Sequence, residues 1–169
     1  IVAPLSGAII RLGNLCNSEI VGYETDVPWG FKFVYHDARY QWIEYAGNVP
    51  EEIIALIPAR HPAQLYEAIC YVITFTLIFY LYNKKDLGRR RPGLLFGVAM
   101  IGIFLTRFFL EFLKERQVDF EAGMALDMGQ LLSIPFILLG VYMIYRAMHK
   151  PAVSDVGAVV AHANRMYAK

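Results

Sequence analysis

Three long runs without a charged residue constrain this chain more than any other feature of its sequence. The runs are residues 68–82, 93–106 and 128–145. A membrane-spanning helix needs about 20 predominantly apolar residues. A soluble protein of this length has room to bury one helix that is apolar on all sides, but hardly three. The sequence therefore predicts an all-α integral membrane protein. The predicted spanning helices, which extend the runs into their polar ends, are 65–83, 93–113 and 128–148.

Composition supports this fold class. Of 169 residues, 57% are hydrophobic and 18% are charged, and the net charge is +1. An average soluble domain has roughly 45–50% apolar and about 25% charged residues. These values exclude a disordered protein and argue against a nucleic-acid-binding protein. Cys16 and Cys70 are too few for a disulfide framework and have no CxxC neighbour, so we assign them no chemistry.

The remaining segments are shorter and more polar. Residues 1–10 are apolar but too short to span a bilayer, and they lack both an initiator Met and the basic start of a signal peptide. We interpret them as the end of an earlier membrane helix, so we expect a C-terminal part of a longer protein. Residues 1–150 are predicted to belong to one membrane-embedded domain, and residues 151–169 to form a flexible cytoplasmic tail.

The segment 11–62 is the least membrane-like part of the chain. Residues 31–35 alternate like a short strand after the turn signal Pro28-Trp29-Gly30. Residues 51–57 are compatible with a short helix. We therefore expect a small outer-face segment that contains short strand or loop structure.

Basic residues in the short loops predict the orientation. The loop 83–92 carries five basic residues in ten positions, and Arg146, His149 and Lys150 follow the last predicted helix. Both ends are therefore predicted to be cytoplasmic. The loop 114–127 mixes basic and acidic residues and is predicted to lie outside. By alternation, the segment 11–62 lies outside too.

Ionisable residues at membrane depth mark the candidate site, because each is costly unless it is paired. Arg107 and Glu111 are four residues apart and share one helix face. An intrahelical ion pair that snorkels to the headgroups is the alternative interpretation of that pair. Arg11 precedes Asn14 by one helical turn, and a third polar cluster, residues 60–67, opens the first spanning helix.

The predicted topology places Arg11, His61 and Arg107 at the same outer face. An arginine side chain offers a planar fork of donors that matches phosphate oxygens and stays charged when it is desolvated. The residues alone therefore predict an outer-leaflet phospholipid headgroup site, without specifying a reaction.

Four sequence blocks together resemble a known family. The blocks are residues 11–22 with Thr25, Asp26, Pro28 and Trp29, then residues 60–67 (RHPAQLYE), 107–112 (RFFLEF) and 127–133 (DMGQLLS). In this order they resemble the motifs of bacterial prolipoprotein diacylglyceryl transferases. The resemblance runs from residue 4 to about residue 148. Several spaced motifs in order are specific, whereas any one of them alone is weak.

The resemblance implies a reaction, its partners and a location. The family transfers the diacylglyceryl group of phosphatidylglycerol to the thiol of the lipobox cysteine in a prolipoprotein signal peptide. A thioether forms, glycerol 1-phosphate leaves, and no cofactor or metal is implied. The family also implies a multi-pass protein of the bacterial cytoplasmic (inner) membrane with its active site toward the periplasm, and no nucleic-acid partner.

The resemblance also assigns roles to residues. Arg11 and Arg107 are the expected catalytic residues, which hold the phosphate and stabilise its charge as it leaves. Asn14, Glu19 and Gly22 are expected to shape the headgroup pocket, and Glu111 to orient Arg107. The residues expected to line or support the cavity are His61, Gln64, Tyr66 and Glu67.

Some positions depart from the family pattern. Where the family usually has Gly, Phe and Tyr, this chain has Ile10, Leu15 and Ile103. The resemblance therefore does not specify which side chains form the pocket wall. Nothing in residues 1–169 matches the family's His-Gly-Gly loop, proposed to supply the base for the thiol. Because a thiol with a pKa near 8.5 needs activation, we expect residues 1–169 alone to be inactive.

Three other interpretations stay open at this point. A transporter or lipid-binding membrane protein fragment predicts charges through the full membrane depth. Another enzyme that cleaves phosphatidylglycerol differs in having no thiol acceptor. A structural membrane subunit leaves the ordered motifs unexplained.

Overall fold

The described part of the chain is mostly helical. The computed structural model describes residues 1–85, 87–115 and 126–150. A 3-10 turn, Glu111–Leu113, continues the helix before it. The α-helices of the described residues are α1 (Ala3–Cys16), α2 (Val34–Asp37), α3 (Arg39–Glu44), α4 (Glu51–Leu56), α5 (Ala63–Lys85), α6 (Leu87–Arg90), α7 (Leu94–Leu110) and α8 (Met128–His149).

Three helices are long and apolar enough to cross a membrane, which confirms the predicted fold class. They are Ala63–Asn83, Leu94–Leu113 and Met128–His149, each within two residues of the predicted bounds. At 1.5 Å per residue each is about 30 Å long, the thickness of the hydrocarbon core. The predicted tail 151–169 and positions 116–125 of the predicted outer loop lie outside the described residues. The assignment of 1–150 to one domain stays a prediction.

Local sequence signals fix where the long helices begin. Pro62 directly precedes α5, in keeping with the preference for proline at helix starts. Gly93 adopts φ +94°, a left-handed conformation that favours glycine, and α7 begins at the next residue. Asp127 and Gln130 form a reciprocal capping box at the start of α8. Arg146 lies in the last turn of α8, where a cation favours the helix dipole.

Glycines allow the helices to approach one another closely. α1 packs on α5, α5 on α7, and α7 along α8. A Cβ on Gly97 would lie 2.8 Å from the carbonyl oxygen of Gly140, and one on Gly140 would lie 3.0 Å from that of Gly97. The hydrophobic effect does not drive helices together within lipid. Van der Waals contact between closely packed backbones, which small residues permit, stabilises the association instead. The side chains of Phe104 and Phe136 stack beside this contact, with ring centroids 4.4 Å apart.

The segment before α5 corrects one sequence prediction. The predicted strand over residues 31–35 is wrong: Phe31 makes one isolated bridge to Arg60, and α2 begins at Val34. No strand occurs within residues 1–85, 87–115 and 126–150. The helical turn carries Asp37 to Arg60, a side-chain contact that alternation of apolar residues cannot reveal. The short helix expected within 51–57 is confirmed as α4.

The Gly97–Gly140 contact yields a prediction. Replacing Gly97 by Ala places a methyl group against the backbone of α8, which cannot move aside as a flexible side chain can. We expect this overpacking to lower the stability of the purified protein by about 1–3 kcal/mol, measured as thermal unfolding in detergent.

Gly13→Ala is the matched control, because a Cβ on Gly13 meets nothing within 4 Å. Alanine is also favoured over glycine in a helix interior, so Gly13→Ala is expected to leave stability unchanged or to raise it. Equal losses in the two variants would contradict the packing described here.

Candidate functional site

A chain of ion pairs joins three helices at one end of the bundle. Arg11 Nε of α1 lies 2.5 Å from Glu67 Oε2 of α5. Lys114, directly after the 3-10 turn that extends α7, places its Nζ 2.9 Å from Glu67 Oε1 and 3.0 Å from Glu111 Oε2. The Glu67 side chain is fully buried and that of Lys114 is 5% exposed. Buried charges persist only when they are paired, so these four side chains depend on one another.

Close packing of α1 on α5 positions the first of these pairs. A Cβ on Gly7 would lie 3.1 Å from the Tyr71 ring, and Ala8, Ala68 and Tyr71 form a small buried core with Ile103 against it. Tyr71 follows Glu67 by one helical turn. Its side chain interacts with Arg11 by hydrogen bonding and with Glu67 and Arg107 through charge, which brings Arg11 and Arg107 to the same neighbourhood.

The first turn of α8 closes the other side of the cluster. A Cβ on Gly129 would lie 2.6 Å from the carboxyl carbon of Glu111, so a larger residue there would displace this carboxylate. Glu111 therefore sits at the amino end of a long helix, where the helix dipole favours a carboxylate. Gln130 is buried and donates from Nε2 to the carbonyl oxygen of Phe108 at 3.2 Å. That bond ties the start of α8 to the end of α7.

Arg107 is the exception in this paired cluster. It shares a helix face with Glu111, but Lys114 binds that carboxylate instead. The Arg107 Nε is buried and has no hydrogen-bond partner in the described parts of the chain. The intrahelical ion pair considered from the sequence is therefore not formed. A buried guanidinium donor without a partner is costly and indicates a site for a ligand acceptor.

The named side chains of the cluster have a net charge of +1. Arg11, Lys114 and Arg107 face two carboxylates, those of Glu67 and Glu111. A phosphodiester carries one negative charge, and arginine donors suit its oxygens. The cluster can therefore accept one phosphodiester and become neutral. In the described residues, no group of three or more His, Cys, Asp or Glu side chains is placed to hold a metal ion.

A second set of polar side chains surrounds the start of α5. Gln64 is fully buried and donates from Nε2 to the Glu19 carbonyl oxygen at 2.6 Å, while its Oε1 has no partner within the described ranges. The Tyr66 hydroxyl accepts from Trp29 Nε1 at 2.9 Å and lies 3.3 Å from His61 Nδ1. The motif residues of α5 thus fasten the segment before α5 to the bundle.

The remaining expected pocket residues contribute through their backbones. The Glu19 side chain is exposed, and its N–H donates to the Asn14 carbonyl oxygen at 2.9 Å. Gly22 is buried and donates to the His61 carbonyl oxygen at 3.1 Å. A Cβ on Gly22 would lie 2.8 Å from the Leu113 carbonyl oxygen, so glycine permits three chain segments to meet beside Lys114.

An outer ion-pair network lies next to this meeting point. Arg60 donates from Nη2 to Asp37 Oδ1 at 2.7 Å and from Nε to the same carboxylate at 3.0 Å. Glu115 and Glu24 lie 3.3 and 3.5 Å from the guanidinium. Burial acts to raise the pKa of Asp37, but the hydrogen bonds from Arg60 and His36 and the Arg60 charge outweigh it and lower that pKa. The hydrogen bond with Asp37 raises the pKa of Arg60.

Sequence reasoning missed several of these residues. Lys114 was assigned only to a loop, although its position three residues after Glu111 was a signal for a pair. Tyr71 was hidden inside an apolar run, although it follows Glu67 by four residues. No local signal pairs Arg60 with Asp37, which are 23 residues apart.

Fold and site together define a multi-pass membrane protein with a buried, arginine-containing cluster of charged side chains at one end of its helices. Residues 1–146 match the family model described as prolipoprotein diacylglyceryl transferase. The chain belongs to this family, which confirms the resemblance drawn from the four sequence blocks.

Curated relatives agree with the family assignment. The chain is 46% identical over 148 residues to the phosphatidylglycerol--prolipoprotein diacylglyceryl transferase of Porphyromonas gingivalis, covering 85% of this chain and 49% of that protein. It is 46% identical over 145 residues to the protein of the same name from Bacteroides fragilis, covering 86% and 45%. The one from Chloroherpeton thalassium is 42% identical over 146 residues, covering 86% and 47%. The chain thus spans about half the length of these relatives.

The buried ion pairs predict a large effect of removing Lys114. Lys114→Met leaves two carboxylates without their shared cation, so we expect a loss of about 3–5 kcal/mol in stability, measured by thermal unfolding in detergent. Lys32→Met is the control: its exposed Nζ binds only the carbonyl oxygens of Ile54 and Ala55, so a loss of about 1 kcal/mol is expected. A Lys114 variant as stable as the Lys32 variant would refute the buried cluster.

The lowered pKa of Asp37 predicts a pH dependence. A carboxyl group whose pKa is lower in the folded state stabilises the fold above its unfolded pKa, and this stabilisation is lost as pH falls through the folded pKa. We expect Asp37→Asn to cost about 1.5–3 kcal/mol at pH 7. The unfolding free energies of wild type and variant, followed from neutral pH downward, should begin to converge at about pH 4 and meet only below the lowered pKa of Asp37. A difference that persists unchanged at low pH would contradict this pairing.

Proposed function

We propose that the complete protein transfers the diacylglyceryl group of phosphatidylglycerol to the lipobox cysteine thiol of a prolipoprotein. The support is family membership together with the names of relatives that this chain matches over half their length. In the reaction, the sulfur attacks the diacylglyceryl carbon bonded to the phosphate oxygen. The carbon–oxygen bond breaks, a thioether forms, and glycerol 1-phosphate leaves with the bonding electrons. The thiol proton goes to a base.

The observation that carries the proposal is the buried Nε of Arg107, which has no hydrogen-bond partner among the described residues and belongs to a cluster whose other charges balance. The phosphodiester of the lipid has one negative charge, and the departing phosphate gains another as the carbon–oxygen bond breaks. Arg107 supplies donors for the first charge. A guanidinium has five N–H donors, so Arg11 retains donors for the second after its contacts with Glu67 and Tyr71.

Preorganisation is the main contribution of the surrounding charges. Glu67 holds Arg11, and Lys114 bridges Glu67 to Glu111, so the arginines need not reorganise when negative charge develops. Fixed donors in a water-poor site stabilise such charge far more than they would in water. Arg11 and Arg107 are therefore the proposed catalytic residues, while Glu67, Glu111 and Lys114 are positioning residues.

The remaining motif residues are proposed to shape the headgroup pocket. The buried Gln64 Oε1, which has no partner in the described parts, is an acceptor for a glycerol hydroxyl group. Asn14, Glu19 and Gly22 form the adjoining wall through the backbone contacts at the end of α1. His61 is engaged with the Tyr66 hydroxyl, which favours a supporting role for both over proton transfer from the thiol.

The proposed setting follows the family and the loop charges. The family is bacterial, and the basic loop 83–92 favours the cytoplasmic side for that end of the bundle. We therefore place the protein in the cytoplasmic (inner) membrane with the Arg11–Arg107 site toward the periplasm. The proposed partners are phosphatidylglycerol and a prolipoprotein signal peptide with its lipobox cysteine. A fragment of a transporter is less compatible with charges that lie at the ends of the described spanning helices.

The two arginines yield the central functional prediction. In the complete protein, Arg107→Ala and Arg11→Ala should each lower transfer of labelled lipid to a lipobox peptide by at least about 10²-fold, and each should fail to complement a strain lacking the transferase. Lysine at either position should restore little activity, because a point charge lacks the fork of donors.

Arg39→Ala is the matched control. Arg39 is exposed and contacts the Tyr35 ring, and we expect its variant to complement normally. Membrane insertion of all variants is checked by fractionation and accumulation. Normal growth with Arg107→Ala at wild-type accumulation would remove the phosphate-holding role.

A further inference from the structure

A basic cavity lies at the opposite end of the helices from the Arg11–Arg107 site. Its volume is about 350 Å³, and Arg90, Arg91, Arg146 and Lys150 line it together with Met143 and Ala147. This is within the usual size range of small-ligand pockets, about 300–1,000 Å³. Among the described residues that line it, none is acidic.

One of the four cations braces the cavity. Arg91 donates from Nη1 to the carbonyl oxygens of Ala147 and Met148, at 3.0 and 2.9 Å. These carbonyls belong to the last turn of α8, the negative end of its dipole. Arg91 thereby fixes the segment before α7 against the end of α8, and this contact forms an ordered wall of the cavity.

The other three cations have no such partner. Arg90, Arg146 and Lys150 are exposed, and no ion pair or side-chain hydrogen bond joins them to the described residues. Arg146 and Lys150 are four residues apart at the end of α8, a spacing at which like charges repel each other. An anion in the cavity removes this repulsion.

The depth of the cavity indicates which anion fits. Gly129, which contacts Glu111, and Arg146 are separated by seventeen residues of α8, about 26 Å along its axis. The cavity therefore lies at the headgroup level of the leaflet opposite the Arg11–Arg107 site. Tyr142 and Leu139 lie one and two turns from Arg146 toward the bilayer centre and are 58% and 41% exposed. They offer an apolar stripe to acyl chains.

We propose that this cavity binds the phosphate group of an anionic phospholipid in that opposite leaflet. Basic pockets between membrane helices recognise phosphate headgroups in this way. The lipid bridges the chain before α7 to the end of α8. The site is distinct from the Arg11–Arg107 site and does not depend on the transfer reaction.

The test uses the complete protein, delipidated in a neutral detergent, with dioleoyl phosphatidic acid as the probe. The affinity is measured by native mass spectrometry and by the shift of the unfolding temperature. Each cation near an anionic lipid is worth about a fivefold change in affinity, so the double variant Arg146→Gln/Lys150→Gln should bind the lipid at this cavity about 25-fold more weakly. Arg146→Lys, which keeps the charge, should bind within a few-fold of wild type.

Three arms make the proposal falsifiable. Arg107→Gln, at the other end of the helices, should retain the binding that the double variant loses; equal loss in both would place the lipid at the other site and overturn the proposal. Dioleoyl phosphatidylcholine should bind at least tenfold more weakly than phosphatidic acid, and equal binding of the two would overturn it. Stabilisation by inorganic phosphate as strong as that by the lipid would identify a soluble anion and refute the lipid assignment.

Discussion

The fully buried carboxylate of Glu67 is the constraint on which the rest of the site depends. It forms an ion pair with Arg11 on one side and with Lys114 on the other, and Lys114 also pairs with Glu111. Burying one charge forces its partners to be present in fixed places, because an uncompensated charge at that depth costs several kcal/mol. The three helices are thereby held together at one end.

Pairing among these four side chains explains why Arg107 is available. Helical spacing makes Glu111 the expected partner of Arg107, but Lys114 pairs with Glu111 instead. Within the described residues, the Arg107 Nε is therefore buried without a hydrogen-bond partner. An isolated guanidinium donor at a desolvated helix end is unfavourable until an anion arrives. Under the proposed function, this cost favours binding of a phosphate-bearing lipid over a neutral one.

The features that could be predicted from the sequence are those that depend on the periodicity and composition of the chain. The spanning helices and their approximate ends follow from apolar runs, and Arg11 and Arg107 stand out because charges are rare in such runs. The sequence did not predict the pairing pattern. The roles of Lys114 and Tyr71 depend on contacts between helices that are distant in the chain, and the contact of Asp37 with Arg60 replaces the strand expected over residues 31–35. Gly22 and Gly129 were recognisable as motif residues, but the groups that they admit, the Leu113 backbone and the Glu111 carboxylate, are visible only in three dimensions.

The most direct measurement is the position of the lipid phosphate in a structure of the complete protein bound to phosphatidylglycerol. We expect the phosphate oxygens to lie about 2.7–2.9 Å from guanidinium nitrogens of both Arg11 and Arg107, with Glu67 and Lys114 still paired beneath them. A phosphate held elsewhere, with Arg107 turned away from it or paired to a carboxylate, would contradict the account.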